Sequence, residues 1–288
     1  MKVSTEFNSA AKIIGAENAI ELLAKSGFDA WDFSMQSMCK YDGKTQRILA
    51  TDHPLSGASY LQFARKLKQI GLDNGIICNQ SHAPVQTSCP GIHDFLKRAI
   101  ECTAEVGGDI CVIHPAADKT AAENAEMYLK LLPFAKDCGV KIATENMYNW
   151  DVKKNEAAFA ACSTLESFLD HLQTVDDPNF IACLDIGHAV MMGKEMNAVR
   201  MIKGINAKLQ ALHIHDNDLR LDHHQAPFSM AINYDPIIRV LKDINYSGYF
   251  TLEAYNFLND YTKETISMGT KLLHRSVRRL AEQFERLD

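Results

Sequence analysis

Eight times along the chain, a short apolar run rich in β-branched or aromatic residues gives way to a stretch with helical spacing. No other feature limits the fold so strongly. The runs are Lys2–Phe7, Phe28–Phe33, Gly75–Asn79, Ile110–His114, Val140–Glu145, Phe180–Asp185, Ala211–His215 and Tyr249–Glu253. Between them, apolar residues recur every three or four positions: Tyr60, Phe63, Ala64 and Leu67; Phe95, Ala99, Thr103 and Val106; Leu165, Phe168, Leu169 and Leu172. After the last run, Ile266, Leu273, Val277, Leu280, Phe284 and Leu287 form the clearest such face. Ser163–Glu166 reads as a capping box, and Asp235-Pro236 as a cap followed by a first turn. Eight βα units joined by right-handed crossovers close into an α/β (β/α)8 TIM barrel, expected here as one domain over residues 1–288. An open doubly wound sheet is the alternative; the lack of a Gly-rich turn after the first run weighs against it.

The chain has 288 residues, 47% hydrophobic and 23% charged, enough to bury a core of that size. Its net charge of −6 points away from nucleic-acid and anionic-membrane partners. No apolar run reaches the roughly 18 residues of a spanning helix. The N-terminal stretch MKVSTEFNSAAKIIG reads as a first strand and lacks the apolar region of a signal peptide. None of the eight cysteines forms a CxxC pair, so they read as reduced, buried thiols of a cytoplasmic protein. A homo-oligomer is left open.

In a barrel, chemistry sits at the C-terminal ends of the strands. Here those ends read SHAP (Ser81–Pro84), IHPA (Ile113–Ala116), TENM (Thr144–Met147), LDIGH (Leu184–His188), LHIHDND (Leu212–Asp218) and LEAYN (Leu252–Asn256). A charged residue closing a buried strand is costly unless something pairs with it. Several carboxylates aimed at one mouth repel one another unless a cation lies between them. Glu145, Asp185, His213 and Glu253 supply three carboxylates and an imidazole, a set suited to Mn, Zn, Co or Mg as divalent cofactor. A purely structural polar network is the alternative.

The other strand-end residues are read more loosely. His188, three residues beyond Asp185, faces the pocket as a ligand or a substrate contact. His215 shares a strand face with His213, so spacing alone leaves open which of them holds metal. His82, His114 and Arg220 are candidate substrate contacts, with Lys44 and Arg47 in a long 34–55 connection that reads as a lid or a surface excursion. His53, His93, His171 and His274 read as ordinary surface or helix histidines.

These motifs, in this order on successive strands, resemble the xylose isomerase-like barrel superfamily, which includes sugar phosphate isomerases and epimerases and endonuclease IV. The resemblance implies a shared metal site at Glu145, Asp185, His213 and Glu253. His213 is favoured over His215 because Asp216 completes the family's H-x-x-[DE] pattern. His82, His114, His188, Asp222 and His224 match the further positions with which the endonuclease branch holds three zinc ions, and so mark a second site. The family's PGxG turn is Pro227-Phe228-Ser229-Met230 here, and the loss of both glycines, with a stiff Pro227, argues against an inward fold of the loop carrying Asp222 and His224. One metal is therefore expected, with His82 and His114 facing substrate or water.

The implied reaction is isomerisation or epimerisation of a sugar, sugar phosphate or keto acid. Glu145 and Glu253 would stand on opposite sides of the reacting carbon and move the proton through a metal-stabilised enediolate. An endonuclease IV-like zinc phosphodiesterase acting on abasic DNA, another metal-dependent lyase or dehydratase, and a non-catalytic carbohydrate-binding barrel are the alternatives. A small carbohydrate or sugar acid is the expected partner, without nucleic acid or membrane.

Overall fold

The computed structural model describes residues 1–287. Its main sheet has eight parallel strands: β1 (Val3–Glu6), β2 (Ala30–Ser34), β3 (Ile77–His82), β4 (Ile110–Val112), β5 (Lys141–Glu145), β6 (Phe180–Asp185), β7 (Leu209–His213) and β8 (Phe250–Leu252). They pair in chain order from β1 to β7, β8 pairs with β1, and an Ile214–Leu252 bridge brings β7 to β8. The sheet thereby wraps into the expected barrel, with helices outside it.

Each of the eight runs overlaps a strand, although several boundaries move. The register is irregular at Trp31/Asp32 and Ala182/Cys183. β3 extends to His82, and β7 ends at His213. His215 therefore lies beyond the strand.

The barrel interior has two characters. Val112, Ala143, Ile181, Cys183 and Ala211 pack as a small apolar cluster. Beside it runs a polar column: the Ser4 hydroxyl donates to Asn79 (2.6 Å), Asn79 donates to Thr251 (3.1 Å), and Gln80 Nε2 donates to Asp32 (2.9 Å). These groups are buried and bond one another, as burial favours, with Asp32 Oδ1 alone among them left without a partner. The column ends at the mouth, where Asp32 meets His213.

Two helix starts differ from the sequence reading. Thr164, not Ser163, caps the helix Leu165–Val175, accepting from the Ser167 amide. The helix Asp235–Asp243 takes Asp235 into its first turn, with Tyr234 as its N-cap. A full capping box occurs instead at Thr120 and Glu123, at the head of Ala121–Asp137.

The 34–55 connection folds as a hairpin, Cys39–Asp42 against Arg47–Ala50, flanked by short 3-10 turns. A second hairpin, Asn149–Asp151 against Glu156–Ala158, follows β5. The Asp151 carboxylate accepts the Lys153 and Lys154 amides and sets its turn, with Asn155 at positive φ. Among the described residues, no helix is long and apolar enough to cross a membrane.

Candidate metal-binding active site

The strand register carries Glu145, Asp185 and His213 to the ends of three adjacent strands, and Glu253 follows directly on β8. One ligand atom from each of the four lies within 4.8 Å of the others. His213 Nδ1 lies 2.7 Å from Glu145 Oε1 and 3.9 Å from Glu253 Oε2, while its Nε2 faces Asp32 at 3.3 Å. A carboxylate behind the imidazole fixes which nitrogen is turned to the site. His215, which spacing could not separate from His213, turns to different neighbours: Asp185 Oδ1 at 3.1 Å and Asp222 Oδ1 at 3.4 Å.

Asp185 shows how four residues of sequence build two site positions. Its Oδ1 accepts the His188 amide (2.7 Å) and caps the helix Ile186–Met191, which returns the His188 ring to the mouth. His188 Nδ1–H then donates to the Asn146 carbonyl at 2.9 Å, leaving Nε2 facing Asp222 at 3.4 Å. Two other histidines follow the same rule. His82 Nδ1–H donates to the Ala83 carbonyl (2.8 Å), and His224 Nδ1–H to the Glu253 carbonyl (2.6 Å). In each case a main-chain acceptor selects the tautomer that turns Nε2 inward.

The loop after β7 does fold inward, against the expectation drawn from its missing glycines. The cause is Asp216, whose carboxylate accepts the amides of Asn217 (2.9 Å), Met230 (3.0 Å) and Ile232 (3.0 Å). Backbone bonds between Asp216 and Gln225 tie the loop a second time. His224 and Phe228 take positive φ without being glycine. Phe228 is held by Tyr234, edge-on at 5.5 Å, and by Arg279 stacked on its ring at 4.1 Å. Asp216 thus organises the loop, and Asp222 and His224 reach the mouth, with Asp222 Oδ2 and His224 Nε2 2.9 Å apart.

Three groups stand out, the first two sharing Glu145: Glu145, Asp185, His213 and Glu253; His82, His114 and Glu145; and His188, His215, Asp222 and His224. His82 and His114 approach Nε2 to Nε2 at 2.9 Å, with Glu145 Oε2 3.0 Å from His114. Eight of the candidate ligands titrate away from their ordinary values, and four of them show the causes most plainly. Burial alone would raise Glu145, but His213 and His114 hold it well below the carboxylate range. Asp185 is likewise opposed by burial, yet His188 and His215 bring it down to about 2. Asp222 falls below the normal range against burial, through His188 and His224. Burial would lower His188, but Asp185 and Asp222 raise it well above the imidazole range.

The buried carboxylates and imidazoles thus act on one another as close opposite charges do. Asp185 Oδ2, Asp222 Oδ1 and His215 Nε2 are buried and make no hydrogen bond. Leaving such atoms unpaired is costly, and divalent ions at this mouth would give them partners. The donor set of imidazole and carboxylate therefore fits such an ion, without choosing among Mn, Zn, Co and Mg.

A cavity of about 180 Å3 opens beside the cluster, lined among others by Glu6, Lys12, Asp32, Gln36, His82 and Glu253. Lys12, Gln36 and Glu6 escaped the sequence reading because they lie on or after β1 and β2, whose ends carry no His-rich motif. Tyr148 and Tyr255 escaped it as well: Tyr148 Oη donates to Asp222 (3.2 Å), and Tyr255 stacks on His224 at 3.9 Å. Arg220 lies outside this cavity and donates to the Asn155 carbonyl of the second hairpin (3.0 Å). Lys44 and Arg47 lie on the exposed first hairpin. His171, read as an ordinary surface or helix histidine, lies in the helix Leu165–Val175 and is buried against Asn124.

The comparisons with known proteins agree with this architecture. An uncharacterized protein of Methanocaldococcus jannaschii is 27% identical over 172 residues, covering 57% of this chain and 56% of that protein. The chain thus spans little more than half the length of that relative. A probable endonuclease 4 of Mesoplasma florum is 27% identical over 252 residues, covering 78% and 82%. Among solved structures, a D-tagatose 3-epimerase-like protein superposes with a TM-score of 0.71 at 20% identity, covering 98% of this chain and 99% of the other. An IolI protein with a bound zinc atom superposes with a TM-score of 0.69 at 17% identity, covering 100% of both. The model of the xylose isomerase-like TIM barrel family matches residues 20–272, and the chain belongs to that family.

Proposed function

We propose that the protein is a divalent-metal-dependent isomerase or epimerase of a small sugar, sugar phosphate or keto acid. The observation that carries this reading is the quartet Glu145, Asp185, His213 and Glu253 beside a small cavity walled by polar groups. Such a space suits a polyhydroxylated molecule held by hydrogen bonds. The epimerase fold likeness is consistent with it.

In this reading Glu145, Asp185, His213 and Glu253 hold the ion, which supplies Lewis-acid polarisation of a carbonyl and its neighbouring hydroxyl. Glu253 reaches the cavity and removes the proton next to the carbonyl. Glu145 sits deeper, 1% exposed and bonded to His114 and His213, and would return to the other side a proton passed to it by one of these imidazoles. His82, at the cavity wall, orients a substrate hydroxyl, and Lys12 is the cation placed to meet an acidic substituent. His114, His188 and His215 do not line the cavity and would reach substrate only through their neighbours. All eight cysteines are unpaired, in keeping with a reducing compartment such as the cytoplasm.

A second reading has its own support. The inward loop completes all nine positions matched to the endonuclease branch, and one curated relative is a probable endonuclease 4. Two assays on the same metal-loaded preparation separate the readings. The isomerase reading expects interconversion within a panel of ketoses, aldoses, their phosphates and keto acids, and intact duplex DNA carrying an abasic site. Incision of that duplex with no turnover of the panel would reverse the order.

A further inference from the structure

A second cavity opens at the opposite end of the barrel. It measures about 470 Å3, against about 180 Å3 for the one beside the metal-binding cluster. Ile110 and Leu209 in its wall are the first residues of β4 and β7, and Tyr249 directly precedes β8, so it enters from the N-terminal face. The interior of such a barrel is ordinarily filled by layers of bulky branched side chains. Here the cavity reaches Asn79 and Gln80 within β3, both of them buried. Its volume falls in the range of small-molecule sites, roughly 300–1,000 Å3.

The walls have a definite chemistry. Asn79 and Gln80 belong to the polar column, and their bonds to Ser4, Thr251 and Asp32 hold both amides in place. A ligand there meets groups that are already ordered. Asn206, Asn245 and Ser247 stand exposed around the mouth, and their side chains make no hydrogen bond among the described residues. Gly248 sets one wall, since a Cβ there would lie 2.8 Å from the Gln210 carbonyl. Of the lining side chains only Asp109 is charged, and the nearby Lys141 ammonium is engaged by Gln210 at 2.8 Å. A lone carboxylate disfavours phosphates and acids. Amides and hydroxyls both donate and accept, as the hydroxyls of a polyol do, while Ile110, Leu209 and Ile244 offer surface to its C–H faces.

We propose that this cavity is a second binding site, for a small, neutral, polyhydroxylated molecule. It lies across the barrel from the metal-binding cluster and shares no residue with the cavity there. The inference therefore stands apart from the isomerase reading, and either can fail without the other.

The test uses metal-free full-length protein, so that a sugar held through the ion at the other end does not contribute. Ribose, glucose, fructose and sucrose are titrated in turn, with glucose 6-phosphate as the anionic arm, and backbone amides are followed by NMR. At least one neutral sugar is expected to give saturable shifts at residues 206–210 and 245–249. Ser247→Trp, at an exposed position on the mouth, should weaken that binding at least ~10-fold, the equivalent of about 1.4 kcal/mol. Asn206→Gly, which suits the positive φ there, removes one amide and should weaken it about 3-fold or more, as loss of a single hydrogen bond does. The spectra themselves report whether each variant is folded, and if only one is, that one decides. Absence of saturable shifts at those amides with every sugar overturns the site and leaves a cavity that holds water only. Unchanged affinity in the folded variants also overturns it, and tighter binding of glucose 6-phosphate than of glucose overturns the neutral ligand class.

Discussion

Glu253 and Glu145 are the same residue type at the ends of two strands, and their surroundings separate them. Glu145 is locked between two imidazoles, whereas Glu253 borders the cavity. Glu253→Gln keeps the size of the side chain and removes the base. General-base loss typically costs about 10²–10⁴-fold in rate, and that is the expected fall in kcat. Retention of near wild-type kcat would take Glu253 out of proton transfer. Arg220 provides the opposite case. It bonds a hairpin carbonyl outside the cavity, so Arg220→Ala should leave KM for the best substrate unchanged, and a large rise in KM would return it to the substrate site. The strand-end motifs made the four inner residues legible because a charged group after an apolar run is a strong signal. The choice between His213 and His215 was not legible from spacing, because it depends on Asp32, far away in sequence on β2.

At the scale of elements, the loop after β7 shows how a rule about one residue type can be overridden by another. Without its glycines the turn was expected to stay out of the site. The Asp216 carboxylate, with three backbone amides, supplies the inward geometry instead. A sequence shows that Asp216 is present but not which amides it accepts, since those lie as much as sixteen residues away. Asp216→Ala should therefore release residues 217–232. Hydrogen exchange should rise in that segment and remain at wild-type levels in the strands. The loss in stability should be about 1–3 kcal/mol, the range for leaving buried donors without their acceptor. Uniform exchange across the protein would assign Asp216 a role in the whole core instead. At the opposite extreme, Thr120→Ala removes one capping box on the outer layer and should cost about 1 kcal/mol without altering metal content.

For the molecule as a whole, the periodicity that alternates between strand and helix determined the barrel, since each unit could bury its apolar face only against its neighbours. The polar column inside the barrel was hidden, because Ser4, Asn79, Gln80 and Thr251 are unremarkable in the sequence until the sheet closes. The site concentrates buried carboxylates and imidazoles in one mouth, so ion binding and folding should be coupled. An ion held by the folded state alone at 100 times its Kd adds about 2.7 kcal/mol. Removal of metal by a chelator should lower the melting temperature, and restored Mn, Zn or Co should raise it again. The most direct test of the central claim is hydrogen exchange on carbon. Candidate sugars, sugar phosphates and keto acids are incubated in deuterated water with metal-loaded protein and followed by NMR. The proposed proton transfer predicts deuterium incorporation next to the carbonyl of at least one compound, lost on metal removal and in Glu253→Gln. Binding of those compounds with no incorporation by metal-loaded wild-type protein would contradict it.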